Sequence, residues 1–447
     1  MKRRQFLKGS LSTLAACGAA SLAPPLLAGP DRWTTSMLPD ATQREAFLDD
    51  LQSRCYRYFV EAADPDTGLV SDRASVDGKW FSTHASSAAC GFALSAHCIA
   101  PERGWASRAD SADRIVQLLE SLIHKAEGQH GFLYHFFDRR DGRRMMDCEV
   151  SSIDTALMLT GAMTASTTFA DHSRIRDAAE HLYRRVDWNF MLGDNDLMYM
   201  GWTPEHGMLP HQWDSYSELI LLVLMAIGAP TNAIPSRCWN AWRREPVMDF
   251  EGTGFLTYPP LFVHQYPMAF FDFRDQRSPS GRSYWQNAQV AHRAQIAFMT
   301  ELGRRNPDRF GHYGPDLWGL TSSDSAEGYR DWGGPYEPDR FEPDRGIDGS
   351  IVPSAAAGGL PIVPEQSLRT LHYQRERFGD LAYGRFGFVN VFNPAELWAG
   401  DDVIGIDTGI SLLQAENLRT GKVWESFMRH PAAVAGFQKA GFVPKPA

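Results

Sequence analysis

Two short acidic stretches hold the residues best suited to breaking bonds in this chain. Asp147 and Glu149 lie in MDCEVSSIDTA (146–156), and Glu218 lies in QWDSYSEL (212–219). In each, an irregular polar segment rich in acids and aromatics runs straight into an apolar helical pattern, so the carboxylates sit at the mouth of a helical barrel. Two carboxyl groups facing one cleft suit hydrolysis of a glycosidic bond, one protonating the leaving oxygen and the other activating a water. A second reading competes with this one. Ser151-x-x-Asp154 and Ser215-x-x-Glu218 both fit a capping box, in which the acid merely bonds back to the cap residue. Glu149 precedes its cap and escapes that explanation. Cys148 belongs to no nucleophile motif. His206 and His211 have no third ligand at metal spacing, so neither a metal nor a cofactor is expected.

The elements behind these acids follow from periodicity. Ile153, Ala156, Leu157, Leu159 and Ala162 recur three and four apart, and LILLVLMAIGA after Glu218 is apolar on nearly every side. Such helices are buried, and their first residues face whatever the core opens onto. Phe47, Leu51, Cys55, Phe59 and Ala62 mark an earlier helical stripe. Further helices are predicted over Ser86 to Cys98, Ser107 to Ala126, Ile153 to Thr168, His172 to Leu192, Tyr284 to Arg304, Pro364 to Phe378 and Ile410 to Met428, with a short one near Gly441. The loop from Asn306 to Ile351 is too long for a mere connector. Ten to twelve helices with few strands and no repeat of fixed length predict an all-α barrel of paired helices, its long aromatic loops gathered at one end.

A net charge of −10, with no basic run beyond Lys2-Arg3-Arg4, argues against a nucleic-acid partner or a basic membrane face. Aromatics reach 12%, including 13 Trp, a surplus that serves either to stack on sugar rings or to fill a core. The first thirty residues resemble a twin-arginine export signal (Arg3-Arg4, then an uncharged Ala-rich run), so residues 31–447 are expected to form one catalytic domain in the periplasm. Leu14-Ala15-Ala16-Cys17 resembles a lipobox that would anchor the chain through Cys17, while Leu26-Leu27-Ala28 suits ordinary cleavage. No later stretch is long and apolar enough to span a bilayer. The five remaining cysteines are odd in number and irregular in spacing, which is no disulfide framework.

Five segments in order, EVSSIDTAL, YSELILLVLMAIGAP, LFVHQYPMAFFDFR, DLWGLTSSD and GIDTGISLLQAENLRTGKVWESFM, resemble the glycoamylase-like family, related to glycoside hydrolase family 144. The resemblance runs from about Phe47 to Phe442. It implies an (α/α)6 toroid and an anomer-inverting hydrolase of β-1,2-glucan or sophoro-oligosaccharides. It also implies Glu149 and Glu218 as the catalytic pair. Asp147, Asp154 and Asp407 then become candidate substrate ligands, and Trp202, His206, Trp213, Tyr216, Gln265, Trp318 and Asp324 candidate sugar contacts. Pro267-Met268 stands where relatives usually read Ser-His, which predicts an altered sugar contact there. Two rivals are a carbohydrate-binding or glucan-assembly protein without chemistry and a polysaccharide lyase. The first should have lost the acids, and the second should show a basic cluster in its loops.

Overall fold

Helices that are apolar on one stripe lie outside those that are apolar all round, and this alternation builds the architecture. The computed structural model describes residues 40–335 and 346–445. The twin-arginine, Cys17 and cleavage-site expectations lie outside the described residues, as does part of the 306–351 loop. In chain order the helices are α1 (Ala41–Glu61), α2 (Ser87–Arg103), α3 (Arg108–His124), α4 (Ser152–Thr168), α5 (Ser173–Arg184), α6 (Leu219–Gly228) and α7 (Tyr266–Phe270). They continue as α8 (Tyr284–Arg305), α9 (Pro307–Phe310), α10 (Pro353–Ala357), α11 (Pro364–Ala382), α12 (Gly405–Arg419), α13 (Lys422–Met428) and α14 (Pro431–Lys439).

Six of these form an inner ring. α12 packs on α2, α2 on α4, α4 on α6, and α6 on α7. The Gln265 side chain, just ahead of α7, donates to the Ala355 carbonyl of α10 at 2.6 Å, and α10 packs back on α12. Outside the ring, α1 lies against α12 and α2, α3 against α2 and α5, α5 against α4, α8 beside the turn leading into α7, and α11 against α10. The sixth outer place, against α6, is taken by α14 from the far end of the chain. This is the (α/α)6 toroid that the family resemblance implies.

Small residues let the ring close tightly. A Cβ at Gly161 of α4 would stand 2.0 Å from the Gly91 carbonyl oxygen of α2, so the two helices touch through bare backbone. Every residue of α6 is buried, and each such Leu or Ile contributes about 1.5–3 kcal/mol. Arg103 near the end of α2 meets the buried Glu416 of α12 through two hydrogen bonds of 2.9 Å, joining first and last inner helices.

Two predicted helices are broken. Residues 172–192 resolve into α5 and a 3-10 turn, Trp188–Met191. The chain leaves the helix so that the Asp187 N–H can reach the His130 carbonyl and Trp188 can bury against Phe132 and Tyr183. The helix predicted over Ile410 to Met428 begins earlier, at Gly405, and divides at Gly421, whose φ of +70° is left-handed and ends α12.

Strands are short, and three antiparallel pairs lie beside the starts of inner helices. Arg73–Ser75 pairs with Asp402–Ile404, His84–Ser86 with Phe136–Asp138, and Val150–Ser151 with Gly201–Thr203, all antiparallel. Bridges at Ser71–Ala85 and Tyr134–Val150 join them into a continuous collar. His84–Ser86, Val150–Ser151 and Asp402–Ile404 each run directly into an inner helix (α2, α4 and α12), so these N-termini open on the same rim.

Candidate active site

Inner helices that start on one rim deliver their first-turn residues there, and those residues include acids. Asp154 sits in the first turn of α4, Glu218 is the N-cap of α6, and Asp407 is in the first turn of α12. The positive ends of the helices favour negative charge at each position.

Glu149 precedes α4 on a strained approach. Met146 and Asp147 both have positive φ (+56° and +47°), which is rare for residues with side chains. Both are exposed. Arg144 holds this loop: its Nε donates to the Cys148 carbonyl at 2.6 Å, and its guanidinium grips Glu205 of the facing hairpin at 2.6 and 3.0 Å. The Cys148 thiol bonds both ways with the Phe136 backbone, and burial pushes it up to about 12, which disfavours the thiolate. Gly201, opposite, leaves room for Glu149, since a Cβ there would meet Glu149 Cγ at 2.7 Å. His135 Nδ1 lies 3.2 Å from Glu149 Oε1, and its Nε2 lies 3.8 Å from Asp154 Oδ2. Donor atoms of these three residues lie within 4.8 Å of one another, near enough to hold a metal ion, although the 3.2 Å contact is a hydrogen-bond distance.

The two capping-box readings come out differently. Ser151 does cap α4, accepting from the Asp154 N–H at 3.2 Å and donating to Asp154 Oδ2 at 2.5 Å. Ser215 instead donates to Asp214, and Glu218 is itself the N-cap of α6, buried to 3% exposure without a capping bond.

A second group of acids lies along the collar around Arg73. Its Nη1 contacts Asp324 Oδ2 at 2.9 Å and Asp402 Oδ2 at 3.0 Å, and its Nε contacts Asp72 Oδ2 at 3.4 Å. The half-buried Asp407 accepts from Asn390 Nδ2 at 2.5 Å. Burial raises its carboxyl to about 7; the charges of Asp324 and Asp72 add to this and the Asn390 hydrogen bond opposes it. The two groups are connected: His135 stacks on Phe136 (3.9 Å between centroids), Phe136 meets His84 edge-on at 5.3 Å, and His84 Nε2 lies 3.7 Å from Asp72.

The other predicted contacts divide by exposure. Trp202 is partly exposed on the strand paired with Val150, and His206 is exposed at the tip of the same hairpin. Tyr216 and Trp318 are fully buried, Gln265 and Trp213 nearly so. Tyr216 bonds to His264 at 2.8 Å, Gln265 to Ala355, and the Trp213 indole N–H to Ser152 at 3.0 Å. In this structure Tyr216, Gln265 and Trp213 are therefore held by protein partners, and Trp318 is enclosed in the core. Pro267 and Met268 are buried too, with the Met268 carbonyl accepting from the Trp424 indole N–H. Sequence reasoning missed His135, Asp72, Arg73, Asp402 and Asn390. Asp402 alone had a local signal, lying just before GIDTG.

Residues 210–431 match the family model named Glycoamylase, described as "Putative glucoamylase". The matched span includes Glu218, Asp324 and Asp407 but not Glu149. Over these residues the chain is similar to the glycoamylase-like family. An exo β-1,2-glucooligosaccharide sophorohydrolase (non-reducing end) from Parabacteroides distasonis is 26% identical over 92% of this chain, which spans only 60% of that relative. A solved structure from Bacteroides uniformis with the same glucoamylase description aligns with TM-score 0.81 and 27% identity, covering 90% of this chain and 98% of that one. The endo-β-1,2-glucanase of Chitinophaga pinensis, solved with sophorotriose and glucose, aligns with TM-score 0.79 at 23% identity over 90% and 98%. The similarity in architecture thus extends well beyond the matched span.

Proposed function

We propose that this chain is a glycoside hydrolase acting on β-1,2-glucan or sophoro-oligosaccharides with inversion at the anomeric carbon. The observation that carries the reading is the delivery of carboxyl groups to one rim by separate inner helices, in a fold shared with the sophorohydrolase and the endo-glucanase. Glu149 and Glu218 are the proposed acid–base pair, from different helix mouths, and an inverting pair stands about 6.5–9.5 Å apart to admit a water. Asp147, Asp154, Asp324 and Asp407 would line the cleft beside them, with Trp202 and His206 meeting the sugar. Asp407, whose proton is held near neutral pH, suits hydrogen-bonding to a sugar hydroxyl as donor.

The test is a panel of linear and cyclic β-1,2-, β-1,3- and α-1,4-glucans, with product sizing and NMR of the nascent anomer. Cleavage of β-1,2-glucan to α-configured products is expected. Glu149→Gln and Glu218→Gln should each lower kcat by about 100-fold or more. Either variant with near-full activity would remove that residue from the pair.

The proposal includes export to the periplasm by the twin-arginine route. Fractionation of cells carrying Arg3→Lys and Arg4→Lys together should find the protein retained in the cytoplasm.

A further inference from the structure

His135 has a carboxylate at each ring nitrogen. Glu149 Oε1 lies 3.2 Å from Nδ1, and Asp154 Oδ2 lies 3.8 Å from Nε2. A neutral imidazole carries a single N–H and presents a lone pair at its other nitrogen, so it can serve only one carboxylate and repels the second. An imidazolium serves both. The ring is also fixed in place: it stacks on Phe136, its backbone N–H donates to the Glu149 carbonyl at 2.9 Å, and its own carbonyl accepts from Ser87 at the start of α2 at 3.1 Å. Asp154 is anchored in turn by Ser151 and by its place at the positive end of α4.

We infer that His135, backed by Asp154, is a positioning residue that holds the Glu149 side chain in one orientation and in its charged form. This rests on the reading of Glu149 as one of the reacting pair, and it gives Glu149 the part of base, leaving the proton-donating part to the buried Glu218. Asp154 then has a double role, as partner of the Ser151 cap and as the group that steadies the imidazolium. Other charged and titratable groups near the ring are Cys148 beside Glu149, Arg144 on the Cys148 carbonyl, and His84 with Asp72 across Phe136. Arg144 is the cation among them, and its guanidinium is engaged by Glu205.

The experiment compares His135→Ala, His135→Gln, Asp154→Asn and Glu149→Gln in the full chain on β-1,2-glucan. His135→Ala is expected to lower kcat about 10- to 100-fold with KM within about twofold, and free imidazole should restore part of the loss. The acid limb of the kcat–pH profile should move to higher pH in His135→Gln, because a base deprived of its cation partner is protonated more readily, and in Asp154→Asn the ring should lose its second proton at lower pH. A readout independent of turnover is the 15N spectrum of the His135 ring, which should show both nitrogens protonated at pH 6 and a changed signal in Glu149→Gln. An unchanged pH profile in His135→Gln, a kcat loss in His135→Ala without imidazole rescue, or a singly protonated ring at pH 6 would each overturn the inference. Full activity of Glu149→Gln would overturn the catalytic pair itself, and so separates the two failures.

Discussion

A carboxyl group that keeps its proton to near neutrality couples folding to pH, and Asp407 is such a group. The folded chain releases this proton near pH 7, whereas its ordinary value is 3.8, so between these limits the folded state binds more protons than the unfolded one. Stability therefore falls as pH rises through that window. Asp407→Asn removes the charge that has to be buried, and the variant should exceed wild type by about 1–2 kcal/mol at pH 8, with the gap closing towards pH 4. Urea unfolding at both pH values checks this, and a gap independent of pH would contradict it. At this scale the sequence offered Glu149, Glu218 and Asp154 through helix-start patterns, and Asp407 through the family resemblance. Asp72 and Arg73 carry no such pattern, because their meaning lies in contacts between residues some 330 positions apart in the chain, as in the Arg73–Asp402 pair. His135 was hidden among aromatics whose spacing has no period.

Among the elements, the α2–α4 contact depends on two glycines facing each other. Gly161→Val would drive a branched side chain into the Gly91 carbonyl, where neither helix backbone can yield. A loss of about 3 kcal/mol or more is expected in chemical denaturation, or failure to accumulate folded protein. Helices with a clean apolar stripe were readable in advance, and Phe47, Leu51, Cys55 and Phe59 of α1 are all buried as their spacing requires. The inner helices α7 and α10 were not, since five residues of Tyr266–Phe270 or Pro353–Ala357 are too few to establish a period. The aromatic surplus was ambiguous, and the core claimed Trp213, Trp318 and Tyr216.

Across the whole molecule, the last helix completes the outer layer. Phe437 of α14 lies 5.2 Å from Phe271, 5.0 Å from Phe273 and 4.9 Å from Phe442, sealing the outer face of α6 and the segment after α7. Phe437→Ala should cost about 3–5 kcal/mol, and truncation before Pro431 should leave protein that binds a hydrophobic dye and does not unfold cooperatively. A truncated chain with a sharp thermal transition would show that α14 is dispensable. The Arg73 clamp carries a further consequence. Its three carboxylates come from the opening, the later middle and the closing part of the polypeptide, so this stretch of rim cannot exist while the chain is still being made. The clamp therefore assembles only once Asp402 has been made, as a single late event instead of one that grows with length.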